Sequence, residues 1–240
     1  MLGGKRLRAT IVITSYNRPR QLRLAYKGAR GQSWENTQII IADDNSSDPK
    51  VLEYLESLED TPNLTIFRSN VTDEDRGKTA RYATQINDAV RLFADGEYLL
   101  FLPDDDWFMH KKVETHVKAM SENGWDVSYS SQAIMKREPR LQQHGERFAN
   151  KVLTDAYNIV DHGQVCVTRK AFDAVGGWPD DPQYWSGADA YFWRRLTDAG
   201  YLFHPIAEVL CMKVENDGVQ NKVFTGRKPW EERKTTWQMK

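Results

Sequence analysis

The first hundred residues alternate two hydrophobic rhythms, and this alternation restricts the fold more than any other feature of the chain. Four short runs, "ATIVIT" (9–14), "TQIIIADD" (37–44), "LTIFRS" (64–69) and "EYLLFLP" (97–103), are rich in β-branched and aromatic residues and almost continuously apolar. A strand that is apolar on both faces belongs in a sheet covered on both sides. The stretches between them keep a helical period instead. "PRQLRLAYKGARGQ" (19–32) sets Leu22, Tyr26 and Ala29 on one face behind Pro19, a favoured first-turn residue. "SDPKVLEYLESLED" (47–60) does the same with Val51, Leu52, Leu55 and Leu58, and residues 77–94 read as a longer helix. Strands and helices in this order predict an α/β fold with a mostly parallel central sheet flanked by helices.

The second half is less regular. A helix is expected over 110–124, a strand over 125–131, strand-like sequence over 162–169 and a helix over 187–199. Residues 136–158 are polar and weakly periodic, as in a long loop or lid, and 213–240 read as a peripheral C-terminal arm. With 240 residues, no internal repeat and no low-complexity tract, one domain over 1–240 is the simplest reading. Lys and Arg number 33 against 34 Asp and Glu. This balance lacks the basic excess of proteins that live on a phosphate backbone, which argues against nucleic acid as a partner. The two cysteines, Cys166 and Cys211, lack metal-site spacing and read as reduced core thiols. No stretch approaches the ~18 apolar residues of a membrane span. The apolar run near the N-terminus is too short for a signal peptide and lacks its small-residue cleavage site, so a soluble, cytoplasmic protein is expected.

In an open α/β sheet, ligands bind beyond the carboxyl ends of the strands. Here those ends read "TSYNRP", "ADDNSS", "SN" and "PDDDWF", a collection of hydroxyl, amide and carboxylate groups with one ring, Tyr16. That chemistry suits a nucleotide. Two common phosphate cradles are missing, however. No G-x-G-x-x-G follows the first strand, and "DRGKT" (75–79) has Thr72 where a P-loop needs its first glycine, so its expected role is a helix N-terminus. The triplet Asp104, Asp105 and Asp106 then needs a counter-charge. Mn2+ or Mg2+ would serve, because these hard cations take carboxylate oxygens and bridge to substrate phosphates.

Taken in order, "TIVITSYNRP", "IIIADDNSSD", "EYLLFLPDDDWF" and "GADAYFWRRL" resemble the family 2 glycosyltransferases of the GT-A fold, nearest the spore-coat polysaccharide transferases among them. The likeness runs over roughly residues 9–210 and includes "KTARYATQIN". It implies a metal-dependent, inverting transfer of a sugar from a UDP- or dTDP-linked donor to a hydroxyl acceptor, in polysaccharide or glycoconjugate synthesis. Residues 1–106 would form the nucleotide-sugar half and 107–212 the acceptor and catalytic half, with 213–240 as the arm. Thr14 and Tyr16 would contact the nucleoside, with the ring on the base. Asp44 would accept the imide N–H of uracil or thymine, and Arg81 would reach the nucleotide. Asp104 would meet the ribose and Asp105 the metal, with Asp106 as the alternative metal ligand. Asp189 would be the general base. Its place near a helix start lowers its pKa while burial raises it, and the sequence does not decide between them.

Duller roles stand beside these. Asp43 fits a turn, and Asp48 before Pro49 fits a helix cap. Asp161 and His162 are candidates for the acceptor side, Trp178 and Trp185 for stacking on sugar or for packing a loop, and Glu215 for a late position near the metal. Two other functions compete: a sugar-nucleotide nucleotidyltransferase, whose glycine-rich signature "SYNRPRQL" lacks, and a non-catalytic nucleotide- or carbohydrate-binding relative.

Overall fold

The computed structural model describes residues 7–135, 141–144 and 150–214. Its strands are β1 (Ala9–Ser15), β2 (Thr37–Asp43), β3 (Leu64–Arg68), β4 (Tyr98–Pro103), β5 (Trp107–Phe108), β6 (Val127–Met135), β7 (Leu141–His144), β8 (Val165–Thr168) and β9 (His204–Val214). Its α-helices are α1 (Pro19–Arg30), α2 (Pro49–Glu56), α3 (Arg81–Phe93), α4 (Lys112–Asn123), α5 (Arg169–Ala174) and α6 (Ala188–Asp198).

The described strands form one sheet in the order β3-β2-β1-β4-β8-β6-β9-β5, with β7 paired to β6. The run β3-β2-β1-β4 is parallel, in the register Ile11 to Ile39 and Ile11 to Leu100. The continuous apolar runs have a direct cause. Ile11, Ile13, Ile39, Ile41, Leu100 and Leu102 face a core shared with α1, α2 and α4. Val12, Ile40, Leu99 and Phe101 face the opposite core, which contains α3, α5 and α6. Beyond β4 the sheet becomes mixed. β8 is antiparallel to both β4 and β6, and β9 returns parallel to β6.

Three local readings change. The expected helix over 77–94 starts at Arg81 instead; a 3-10 turn over Arg76–Lys78 precedes it, and Thr79 between them is extended. The Arg76 side chain turns inward and the Ala80 N–H is tied to the Asp180 carbonyl, so the chain cannot yet follow the helix axis. Within 136–158, residues 141–144 are strand β7 rather than loop. Farther along that segment Leu153 and Ala156 are buried in the core, each apolar side chain too isolated in sequence to signal an element. The remaining parts, 136–140 and 145–149, lie outside the described residues. Strand β9 was not expected at all. It begins at His204-Pro205, carries Glu208, and shifts register against β6 on both sides of Ser131, which breaks the alternation that marks a strand. Lys213 and Val214 end β9, and the rest of the expected arm, Glu215 included, lies outside the described residues.

Cys166 and Cys211 are free and buried, and burial pushes their thiols up to about 12 and about 11. Both are poor nucleophiles in this state.

Candidate active site

The parallel strands bring the ends of β1, β2 and β4 to one edge of the sheet. The loops after β1 and β2 are knitted together there. Asn17 and Asn45 adopt the left-handed conformation that asparagine tolerates. The Asn17 side-chain oxygen accepts the N–H groups of Ser47 and Asp48, at 2.8 and 2.9 Å. Asp43 is fully buried and serves this turn, accepting from the Ser46 N–H and hydroxyl and from Arg68. Thr14, the last buried threonine of β1, lies beside Pro103 of β4.

Asp44 is the centre of the first cluster. One carboxylate oxygen accepts from Arg76 Nη1 at 2.5 Å. The other accepts from Arg81 Nε and Nη2, at 3.0 and 2.7 Å, and from the Ser69 hydroxyl at 3.1 Å. Arg76 also donates to the Asp44 carbonyl at 2.7 Å and lays its guanidinium over the Tyr16 ring, 3.9 Å from the centroid. The structure therefore unites Tyr16, Asp44 and Arg81 and adds Arg76, which the sequence reading missed. Arg76 is only 2% exposed, an unusual position for an arginine unless it is paired.

The aspartate triplet divides by direction. Asp104 accepts from the Ser15 hydroxyl at 3.2 Å and from Arg18 Nη1 at 3.1 Å. The same nitrogen donates to Asp105 at 2.7 Å. Burial alone would lower the Arg18 pKa, but Asp104 and Asp105 more than reverse this and raise it. Asp106 turns the other way and accepts the Val214 N–H of β9 at 3.0 Å. Burial, reinforced by Asp105, holds the Asp106 carboxyl well above the usual range, against the pull of the Val214 N–H.

Mn2+ or Mg2+ fits this set only in company. Among the described residues no group of three or more His, Cys, Asp or Glu is placed to hold an ion alone. These cations commonly use one or two carboxylates and complete their shell with substrate phosphate and water. Adjoining carboxylates on one loop suit that mode.

A second cluster lies at the start of α6. Asp189, in the first turn, is half-buried and accepts the Ala190 N–H at 2.9 Å. Burial raises its pKa, with the nearby His162 pulling it back and Asp161 adding to the rise. Of the two opposed effects, burial wins. The Tyr82 hydroxyl accepts the Ala188 N–H at 2.8 Å, and the Tyr82 ring stacks on His162 with centroids 6.3 Å apart. Burial lowers the His162 pKa, while Asp189, Asp161 and, more weakly, Asp105 act to raise it. His162 thus senses both clusters, and a Cβ on its neighbour Gly163 would sit 3.7 Å from Asp106 Oδ2. The 3-10 turn His162–Gln164 links the acid triplet to α6.

That turn is held from beneath. The fully buried Lys112 donates to the Gln164 carbonyl at 3.2 Å and to Ser130 at 3.1 Å. Asp161 pairs with Lys213 at 2.8 Å and accepts from Gln132. Lys213 and the Gln132 N–H outweigh burial and keep the Asp161 pKa low. Trp178 is a core residue, 1% exposed among Phe101, Phe192 and Trp193, which removes it from the candidates for sugar stacking. Trp185 is half-buried against Tyr82.

This arrangement and the sequence agree on a family. Residues 10–177 match the profile of glycosyl transferase family 2. The chain belongs to that family. It is 34% identical over 211 residues to Protein CgeD of Bacillus subtilis (strain 168), covering 85% of this chain and 49% of that protein. The chain thus spans about half the length of this curated relative. Its fold is similar to that of S. aureus TarS 1-349 crystallised with UDP, at a TM-score of 0.71 and 14% identity, over 88% of this chain and 61% of that one. The Pyrobaculum calidifontis mannosyltransferase PcManGT, in complex with GDP-Man and Mn2+, gives a TM-score of 0.63 and 18% identity, over 88% and 57% of the two chains. The family 2 fold is therefore shared with GT-A-type structures. No helix of the described residues is long and apolar enough to cross a membrane.

Proposed function

We propose that this family 2 chain is an inverting, metal-dependent transferase that moves a sugar from a UDP- or dTDP-linked donor to a hydroxyl of a saccharide or glycoconjugate. The observation that carries this reading is the Asp44 cluster. A buried carboxylate framed by two guanidiniums, beside the Tyr16 ring, meets the demands of a base with an imide edge and a stacking face. Uracil and thymine share that edge, so Asp44 serves either. UDP in the TarS structure supports the first.

The roles follow from position. Tyr16 and Thr14 flank the nucleoside, Arg81 and Arg76 hold Asp44 in orientation, and Asp104 faces the ribose. Asp105 would hold Mn2+ or Mg2+, with Asp106 able to add only the oxygen that the Val214 N–H leaves open, and the ion would neutralise charge on the departing diphosphate. Asp189 takes the proton from the acceptor hydroxyl as that oxygen bonds to the anomeric carbon from the face opposite the diphosphate. The bond from the anomeric carbon to the phosphate oxygen breaks, and its electron pair leaves on the nucleotide. A pKa raised by burial makes Asp189 a stronger base than an exposed aspartate.

The nucleotidyltransferase alternative loses ground because β1 leads into Tyr16, Asn17 and Arg18, with no glycine loop. A direct test is a screen for release of the nucleoside diphosphate from UDP-, dTDP- and GDP-sugars with Mn2+ and saccharide acceptors, with product anomers assigned by NMR. Release from a UDP- or dTDP-sugar with an inverted anomer is expected. Exclusive use of a GDP-sugar, or retention of configuration, would contradict the reading.

A further inference from the structure

Arg18 differs from the other site arginines in how it is held. Arg76 and Arg81 each grip Asp44 through more than one contact. Arg18 makes both of its bonds, to Asp104 and Asp105, through the single nitrogen Nη1. Its Nε and Nη2 donate to none of the described residues, although guanidinium nitrogens favour paired, planar contacts with anions. The side chain is 17% exposed, so these donors stand at the rim of the site rather than in the core. Arg18 also sits at the N-cap of α1, a helix of 12 residues with no side-chain cap and no acidic residue in its first turn. The positive end of that helix therefore adds to the guanidinium instead of being neutralised.

Asp105 cannot keep one cation on its bonded oxygen and admit another without strong repulsion at short range. We propose that Arg18 acts as an exchangeable stand-in for the metal: it holds Asp105 in the donor-free protein, yields it to the divalent cation, and moves its free guanidinium edge onto the donor diphosphate. This inference rests on the nucleotide-sugar reading above and assigns a donor-binding role that the sequence reading did not give to Arg18. The exchange keeps the acid loop compensated in both states. It also couples metal entry to diphosphate capture, because the residue released by one is the residue that binds the other.

The exchange gives opposite signs in two titrations, which a structural role would not. Full-length wild type, Arg18→Met and Arg18→Lys are titrated calorimetrically with Mn2+ alone, and then with UDP at saturating Mn2+. Arg18→Met is expected to bind Mn2+ alone several-fold more tightly, since the competing cation is gone. It should bind UDP about 10- to 100-fold more weakly, the worth of a hydrogen bond to a charged group. Arg18→Lys, which keeps the charge and protects the test against misfolding of the first variant, should fall between wild type and Arg18→Met in both titrations. Unchanged or weaker Mn2+ binding in Arg18→Met, with Arg18→Lys like wild type, overturns the exchange. Unchanged UDP affinity overturns the diphosphate role. Failure of the wild type itself to bind UDP removes the donor reading, and this inference with it.

Discussion

Replacing Asp189 by asparagine is expected to reduce sugar transfer by about 10²- to 10⁴-fold, the usual contribution of a positioned general base. Asparagine preserves the shape and can still accept the Ala190 N–H, so α6 should start as before. Donor binding should stay close to that of the wild type, because Asp189 lies in the α6 cluster and makes no bond to the Asp44 cluster. The pH profile adds a sharper readout. The active form is the carboxylate, so activity must fall as pH drops through the pKa of Asp189. Burial raises that pKa, which moves the acid limb above the ordinary aspartate value of about 3.9. The asparagine variant should lose this limb along with its rate. Near-normal turnover with an unchanged profile would remove Asp189 from the chemistry.

The second large effect concerns Arg76. Arg76→Met keeps bulk and deletes the bonds to the Asp44 carboxylate and carbonyl, the longer bonds to the Asn45 carbonyl and Asp73, and the cation over Tyr16. Removing one partner of a buried pair leaves the other charge poorly compensated, at about 3–5 kcal/mol. Arg81 still holds the second oxygen of Asp44, so the loss of stability should fall toward the lower end of that range. Urea unfolding would show it as a lower midpoint with an unchanged slope. UDP affinity should drop with it, because Tyr16 and Asp44 lose their common support. A stability change within about 0.5 kcal/mol would mark Arg76 as an ordinary surface-like residue, contrary to its burial.

What could be read from the sequence, and what could not, follows from how each contact is made. The strands β1 to β4 were legible because both faces of each are buried, so every residue carries the apolar signal. The placement of Asp44 and Asp104 at strand ends and of Asp189 at a helix start was legible because each follows a clear strand or sits in the first turn of a clear helix. Arg18 and Arg76 were not. Their partners lie 86 and 32 positions away, and neither residue looks different from a solvated arginine until the sheet brings the loops together. The division of the acid triplet was hidden for the same reason, since Asp106 is turned by a bond to Val214, 108 residues on. That bond depends on β9, whose bulged register against β6 concealed it. The sequence posed the need for a counter-charge at residues 104–106 correctly; the protein's own first answer is a guanidinium, with a cation of the donor complex as the proposed second.

The strand ends of this family 2 chain are proposed to bind a pyrimidine nucleoside diphosphate with a divalent cation. Calorimetric titration of the full chain with UDP, dTDP and GDP, each with and without Mn2+, tests it most directly. UDP or dTDP should bind, and GDP should bind more weakly. Guanine also offers an N–H to a carboxylate, but it carries an amino donor where the pyrimidine imide has a second carbonyl to face the guanidiniums on Asp44. Mn2+ should tighten the preferred nucleotide about tenfold or more. No binding of either pyrimidine nucleotide, or the same affinity with and without Mn2+, would contradict the account.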